Sequence, residues 1–236
     1  MPQQFEQRTY VSEEVVEVRF NPRGSILNHM GDFADYIVDK DLFKHWALEP
    51  GMIKFKDAPG EPQQVHAFLS HRNAGFVAIS PPTQNFFRDK AIQYWQAVAA
   101  NPLFKVPKII RIGMRNRCFT RVNKDFAGIE KALYSYLYRP EAMEDLSPFR
   151  TDHQAVFNFA KGEIKTNVTI GPLKKKEAAA LFNFKSEHFA HEGVYIDLDV
   201  YIDEPKQESK TVEDFIRNTT KESWARIENL LSKMGA

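Results

Sequence analysis

Residues 109–121 read IIRIGMRNRCFTR, and this stretch carries the strongest fold signal in the chain. A β-strand sends alternate side chains to opposite faces of its sheet. One face would then hold a row of arginines with one aromatic residue: Arg111, Gly113, Arg115, Arg117, Phe119 and Arg121. The other face would hold mostly apolar or small side chains, which we expect in the core: Ile110, Ile112, Met114, Asn116, Cys118 and Thr120. The alternation predicts a long strand with one buried face and one basic face.

A second alternating strand is predicted at residues 194–203, which read VYIDLDVYID. One of its faces is mainly acidic: Asp197, Asp199, Tyr201 and Asp203. The opposite face is aliphatic: Ile196, Leu198, Val200 and Ile202. If the two strands are neighbours, arginines and aspartates pair across the sheet and the arginine row belongs to the scaffold. If they are not neighbours, the arginine row is a candidate binding surface.

The remaining patterns follow an order of elements that occurs twice. In the first part we predict a strand, a helix, a hairpin and a helix, at residues 15–20, 25–40, 65–71 with 76–80, and 86–99. In the second part we predict a strand, a helix, three strands and a closing helix, at residues 109–122, 125–138, 154–160, 164–170, 194–203 and from Thr211 onward. Residues 42–61 read as a connector with a short strand, and a further short strand is expected near residues 181–184.

This order predicts an α+β fold made of two tandem β-α-β-β-α-like, ferredoxin-like halves, residues 1–105 and 106–236. The sheet should be mainly antiparallel, with helices on one face, and the halves should form one compact unit. No residue-level repeat links the two halves. An unduplicated α+β domain is therefore the alternative.

Composition excludes several classes of function. The 32 basic and 31 acidic side chains leave a net charge of +1, so no global field attracts the chain to nucleic acid or an anionic membrane. The single cysteine, Cys118, cannot form an internal disulfide, which favours a reducing compartment and predicts a cytoplasmic location. No stretch approaches the ~18 consecutive apolar residues of a membrane-spanning helix, so we expect no membrane contact.

Three short stretches resemble a sporadically distributed family of uncharacterised bacterial proteins. They are a Glu-Val-x-x-x-Arg-Phe-like strand at residues 14–20, an Arg-x-Gly-x-Arg strand at residues 111–115, and alternating Ile and Asp at residues 196–199. After the second stretch the family pattern has an aromatic residue and then an asparagine two places on, whereas this chain has Asn116, Arg117 and Cys118. The resemblance implies a related fold and a bacterial source, and that family has no assigned activity to transfer.

The basic face suggests binding of a polyanion. Guanidinium groups grip phosphates, and aromatic rings stack on unpaired bases. The candidate residues for single-stranded nucleic acid or another polyanion are Arg111, Arg115, Arg117, Phe119 and Arg121. The near-neutral net charge and the lack of an RNP-type signature weigh against nucleic acid.

The acidic strand suggests a weaker possibility, a divalent metal held by Asp197 and Asp199. Such a site would make the chain a metal-dependent phosphoryl-transfer or RNA-processing enzyme. It needs a third ligand, and Asp203 lies too far along the strand from Asp197, at ~3.3 Å per residue. The chain has no glycine-rich phosphate loop and no Gly-x-Ser-x-Gly elbow, and Cys118 faces the predicted core. We therefore identify no nucleophile or base, and we expect no cofactor.

Aromatic residues point to an interface. Four of them exceed what the predicted core can hold: Trp46, Phe86, Phe87 and Trp224. Exposed aromatic residues are typical of protein interfaces. The sequence thus predicts, first, a non-enzymatic binding protein that acts through an unidentified protein partner or through self-association. Polyanion binding and metal-dependent catalysis are the alternatives.

Overall fold

The computed structural model describes residues 10–57, 64–138, 152–207 and 209–233. Its central element is one nine-stranded antiparallel sheet with the strand order β2-β3-β4-β5-β1-β6-β9-β8-β7. The strands are β1 Tyr10–Phe20, β2 His45–Glu49, β3 Met52–Lys56, β4 Val65–Ser70, β5 Asn73–Ile79, β6 Ile109–Arg121, β7 Ala155–Lys161, β8 Ile164–Leu173 and β9 Gly193–Asp203. The helices are α1 Gly24–Asn28, α2 Met30–Asp39, α3 Gln84–Ala100, α4 Phe126–Leu137, α5 Glu177–Leu181, a 3₁₀ helix Glu187–Ala190 and α6 Ser209–Lys233.

The first strands of the two predicted halves, β1 and β6, lie side by side in the middle of the sheet. Outward from β1 the order is β5, β4, β3 and β2, and outward from β6 it is β9, β8 and β7. Each part of the chain thus places its first strand beside its last. The α+β class and the antiparallel sheet are confirmed, whereas a ferredoxin-like arrangement of the halves is not. The sheet continues across the predicted boundary at residue 105, and that boundary stays a prediction.

One face of the sheet is covered by helices α1 to α4 and α6. Alternation explains this, because every second residue of the central strands points to that side and most of these residues are apolar, as Val16, Met114 and Leu198 are. Phe33, Phe87 and Ile216 reach the same cluster from the helices and are 0% exposed. Burial of one such side chain contributes about 1.5–3 kcal/mol, so this layer supplies most of the stabilisation.

Local chemistry sets several element ends. The side chains of Thr83 and Asp125 accept hydrogen bonds from the backbone N–H groups of Phe86 and Gly128, which caps α3 and α4. The predicted helix at residues 25–40 is interrupted at His29, so it forms two helices.

Two further predictions need correction. Residues 42–61 contain two strands instead of one, joined at Gly51, whose φ of +76° suits glycine. The short strand expected near residues 181–184 is wrong, because α5 ends there.

In the part of the chain that the structure describes, the opposite face of the sheet is covered only at one end. There α5 and the 3₁₀ helix bring together an aromatic cluster that seals the ends of β6 and β9: Phe119, Phe182, Phe184, Phe189 and Tyr195. The middle of this face carries polar and charged side chains and stays open to solvent. Among the described residues, no helix has both the length and the apolar character needed to cross a membrane.

Candidate functional site

The open middle of the sheet holds the predicted arginine row. We call it the charged face, meaning the outward side chains of β1, β6 and β9 between Glu13 and Arg19, Arg111 and Arg117, and Asp197 and Asp203. A depression of ≈ 390 Å³ lies on it, with charged side chains around Val15 and Gly113. β6 pairs with β9 so that Arg115 is opposite Asp199 and Arg117 is opposite Asp197. The basic and acidic strands predicted from sequence are therefore neighbours.

Arg115 forms the best-aligned ion pair of the charged face. Its Nε donates to Oδ1 of Asp197 at 2.9 Å, and its Nη2 donates to Oδ2 at 2.5 Å. The hydroxyl of Tyr195 also donates to Oδ2 of Asp197, at 3.1 Å. These bonds to Asp197 raise the pKa of the Arg115 guanidinium above its ordinary value. Arg115 itself remains 51% exposed, whereas Asp197 is only 14% exposed, so the arginine is the solvent-facing member of the pair.

Arg111 is held by two neighbours on β9. Its guanidinium lies over the ring of Tyr201, 4.1 Å from the centroid, and donates to Oδ2 of Asp199 at 3.0 Å. Gly113 lies opposite Tyr201, and a Cβ added there would make ordinary contacts with Tyr201 at 3.6 Å and with Nε of Arg111 at 3.7 Å. The position of Arg111 therefore does not depend on a glycine at residue 113.

Arg117 is the most buried arginine of the charged face. Its Nη2 donates to Oε1 of Glu13 on β1 at 2.7 Å, and its Nη1 donates to the carbonyl of Leu181 at 3.0 Å. The guanidinium carbon lies 5.5 Å from the ring centroid of Phe182. Only 17% of the Arg117 side chain and 12% of the Glu13 side chain are exposed. This pair therefore ties the aromatic cluster to the sheet.

Sequence reasoning missed the contribution of β1. Arg19 donates to Oε2 of Glu17 at 2.8 Å, and Asn73 donates to Oε1 of the same carboxylate at 2.6 Å. The alternation of Glu13, Glu17 and Arg19 along one face of β1 was the available signal. With these residues, each of the four arginines in the depression has a carboxylate partner. The fifth carboxylate of the charged face, Asp203, pairs with Lys165 of β8, so the charges on this side of the sheet balance.

Burial changes the acidity of one carboxylate on this face. Desolvation raises the pKa of Asp199 above its ordinary 3.8, although Arg111 and Arg115 act in the opposite direction. The loss of solvent around the carboxylate therefore raises its pKa more than the two nearby guanidinium groups lower it.

Three residues lie differently from the sequence predictions. Phe119 shares the arginine face of β6 but is 0% exposed inside the aromatic cluster, so it offers no stacking surface. Arg121 lies beyond Phe119 at the end of β6, outside the depression. Ile110, predicted in the core, is 39% exposed, because the β1–β6 register shifts between Arg19 and Phe20 and turns it outward.

The geometry does not support a metal site at Asp197 and Asp199. Guanidinium groups already engage both Asp197 and Asp199. Within residues 10–57, 64–138, 152–207 and 209–233, no group of three or more His, Cys, Asp or Glu side chains is arranged to hold an ion.

A second concavity was not foreseen from the sequence. It has a volume of ≈ 770 Å³ and lies on the helix-covered side, where β7 and β8 meet α4 and α6. We call it the apolar groove, and its main apolar side chains are Tyr136, Phe157, Phe159, Ile164, Val168 and Leu230. Several of these are exposed for their type, with Phe159 at 58%, Tyr136 at 41% and Ile164 at 38%. Glu222 and Arg226 of α6 add charge to the groove.

The four aromatic residues predicted to form an interface differ in exposure. Phe87 and Trp224 are buried in the helical layer, 0% and 7% exposed, so that part of the prediction is wrong. Phe86 is half-buried, and Trp46 is 39% exposed on β2. The larger exposed apolar surface lies instead at the other edge of the sheet, around β7 and the apolar groove.

In comparison with known proteins, no protein-family model matches this chain, and no curated protein matches it closely enough to count as a relative. The resemblance of residues 14–20, 111–115 and 196–199 to a bacterial family therefore stays a prediction. The molecule is described by its fold and surfaces: a nine-stranded antiparallel α+β protein with a charge-balanced sheet face and an apolar groove at one edge.

Proposed function

We propose that this protein is a non-enzymatic binding protein that receives another protein chain, or a second copy of itself, at the β7 edge and the apolar groove. The observation that carries the proposal is the coincidence of a ≈ 770 Å³ apolar groove with an edge strand whose Val156 and Phe159 are 59% and 58% exposed. Exposed apolar surface of this kind marks interaction sites, and an edge strand offers backbone hydrogen bonds to an incoming chain.

The charged face is the weaker candidate because its arginines are engaged. A polyanion would have to displace Asp197 from Arg115 and Glu17 from Arg19 before it gained equivalent bonds. The observation in its favour is that these two arginines are 51% and 47% exposed. Salt-titrated binding to mixed single-stranded RNA and DNA separates the readings, because phosphate contacts weaken steeply with salt. Salt-sensitive binding that Arg115→Ala abolishes would establish the polyanion function.

A matched set of variants tests the main proposal. Wild type, Phe159→Asp and Arg115→Ala are immobilised and exposed to extract of the native host, and retained proteins are identified by mass spectrometry. We expect partners that wild type and Arg115→Ala retain and Phe159→Asp loses, because the aspartate places a charge in the apolar groove. Retention that survives Phe159→Asp but not Arg115→Ala would contradict the proposal and move the site to the charged face. Circular dichroism of each variant checks that it remains folded.

Metal-dependent phosphoryl transfer or RNA processing is the third function class. It predicts that Mg²⁺ raises the Tm of wild type but not of Asp197→Asn.

The domain organisation and the cellular location are also proposals. The mirrored strand order on either side of β1 and β6 favours tandem halves of common origin, residues 1–105 and 106–236, although each half orders its strands differently from a ferredoxin-like unit. The single cysteine, the buried Cys118, favours a cytoplasmic location.

A further inference from the structure

The geometry of the β7–β8 hairpin identifies which backbone groups of β7 face outward. The two strands are joined by Gly162 and Glu163, with Gly162 at φ +60° and Lys161 opposite Ile164. In a two-residue hairpin the closing pair exchanges both hydrogen bonds, and bonded pairs then alternate along the ladder. Residues 155, 157, 159 and 161 therefore bond to β8. Val156, Asn158 and Ala160 direct their N–H and C=O groups away from it.

This outward set is complementary to itself. β7 ends the order of paired strands in the part of the chain that the structure describes. When a copy of β7 is laid antiparallel against it with Asn158 opposite Asn158, Val156 falls opposite Ala160 and Ala160 opposite Val156. Every facing residue on both copies then belongs to the outward set. The arrangement forms six backbone hydrogen bonds around a two-fold axis without breaking any bond of the β7–β8 ladder.

We propose that the occupant of the β7 edge is a second copy of this chain, paired β7 to β7 about a two-fold axis at Asn158, so that the two sheets become one. This inference rests on the proposed binding function and names its partner. An isologous interface of this type closes at a dimer.

Side chains agree with this register on both faces of the sheet. On the groove side, Phe157 lies opposite the partner's Phe159 in a closely spaced non-bonded pair, and the same contact occurs twice. On the other side, Val156 meets the partner's Ala160. The most exposed apolar side chains of the edge, Val156 and Phe159, are thereby covered.

Charge supports the antiparallel direction. The segment starts with exposed Asp152 and ends with exposed Lys161, and no charged residue lies between His153 and Lys161. Antiparallel pairing puts Lys161 opposite the partner's Ala155, three residues or about 10 Å along the strand from the partner's Asp152. Unlike charges therefore approach at both ends, whereas parallel pairing would bring like charges together.

β7 has no proline, and its one charged residue, Lys161, lies at its end, so the middle of the strand lacks the devices that usually block pairing. The other edge strand, β2, is shorter and carries His45 and Glu49 at its ends. This contrast favours β7 over β2.

The first test measures mass in solution by sedimentation velocity over a concentration series. We expect wild type to form a dimer and Asn158→Lys to weaken its dissociation constant at least ~30-fold, because two ammonium groups would meet at the axis. The matched control is Asn167→Lys, the same change at the β8 residue opposite Asn158, one strand in from the edge. It should leave dimerisation unchanged.

A cysteine scan tests the register. Asn158→Cys places two thiols on the axis with their Cα atoms about 5.5 Å apart, within disulfide range. It should cross-link under mild oxidation, whereas Val156→Cys alone should not, and Val156→Cys with Ala160→Cys should. The native Cys118 is buried and contributes no background.

The outcomes separate this inference from the proposed function. A wild type that stays monomeric up to ~100 μM, or a dimer that Asn158→Lys leaves intact, overturns β7 self-pairing. If the monomer still retains host proteins that Phe159→Asp loses, the binding function stands and the occupant is a different protein. If neither is observed, both fail.

Discussion

Replacing Arg117 by alanine should destabilise the fold much more than the same change at Arg115. Arg117 loses an ion pair with Glu13 and a bond to the Leu181 carbonyl, and both members of the ion pair are less than one-fifth exposed. The alanine would leave the Glu13 carboxylate largely buried without this guanidinium. Arg115 binds Asp197 with two bonds, but half of its side chain is in water.

The magnitudes follow from burial. Removing one partner of a buried pair costs about 3–5 kcal/mol, and the residual exposure of Arg117 and Glu13 places this case near 3 kcal/mol. A surface pair contributes about 0–1 kcal/mol. We place the Arg115 pair near the top of that range, because its two-bond geometry is favourable and Asp197, which is 14% exposed, keeps the bond from the Tyr195 hydroxyl when the guanidinium is removed. For a chain of 236 residues, about 2–4 °C of Tm corresponds to 1 kcal/mol. Arg117→Ala should lower Tm by about 6–12 °C, and Arg115→Ala by about 2–4 °C.

Urea denaturation followed by circular dichroism measures both free energies of unfolding. Lys165→Ala is the control, since it removes a cation from an exposed pair with Asp203 on the same side of the sheet and should leave the free energy of unfolding nearly unchanged. Adding Glu13→Gln to Arg117→Ala should restore part of the loss, because no charge is then stranded. Equal losses for Arg115→Ala and Arg117→Ala, or no restoration by Glu13→Gln, would refute the reasoning.

Three further predictions concern other parts of the structure. Gly193→Ala should lower the free energy of unfolding, measured by urea denaturation, by about 3 kcal/mol, because the added Cβ would overlap the Thr120 carbonyl. Gly113→Ala should be near neutral, since its Cβ would meet no atom closer than 3.6 Å. A larger loss for Gly113→Ala than for Gly193→Ala would contradict this description of the packing. Burial, aided by Arg121, lowers the pKa of His188 below 6.5, so this histidine contributes stability that is present above pH 6.5 and lost as the pH falls further. The free energy of unfolding should therefore decrease less between pH 7.5 and pH 5.5 for His188→Gln than for wild type. An equal decrease in both proteins would disprove this. Trp224→Phe removes the indole N–H that donates to buried Glu14 at 2.9 Å and should cost about 2 kcal/mol, part of which Glu14→Leu should restore in the same background.

Alternation over many residues made the central strands predictable. Residues 109–121 and 194–203 keep their two-residue period almost throughout, and the structure has strands there as Ile109–Arg121 and Gly193–Asp203. Period alone cannot say which strands are neighbours, because pairing depends on side chains some 80 positions away. The sequence therefore left open whether arginines and aspartates meet, and only the register of β6 with β9 decides that they do.

Where the predicted exposure of a residue was wrong, contacts with distant parts of the sequence are the reason. Phe119 looks like a surface aromatic within its own strand, yet Phe182 and Phe189, more than 60 residues later, cover it. Ile110 obeys the period but lies at a register shift that its own strand does not reveal. The strand at residues 154–160 was predicted without any sign that it forms the edge, since exposure of an edge depends on which strands lie beyond it. The apolar groove was missed for the same reason.

The central position of β1 bears on how the chain folds during synthesis. β1 is made first but is flanked by β5 and β6, so one of its two edges stays open until residue 121 has been added. At about 5–20 residues per second, the ~40 residues between Ile79 and Arg121 take ~2–8 s to make. During that time one edge of β1 has no neighbouring strand to pair with, and an unpaired strand edge favours aggregation or the recruitment of chaperones. Translation speed through residues 80–121 should therefore govern the yield of native protein.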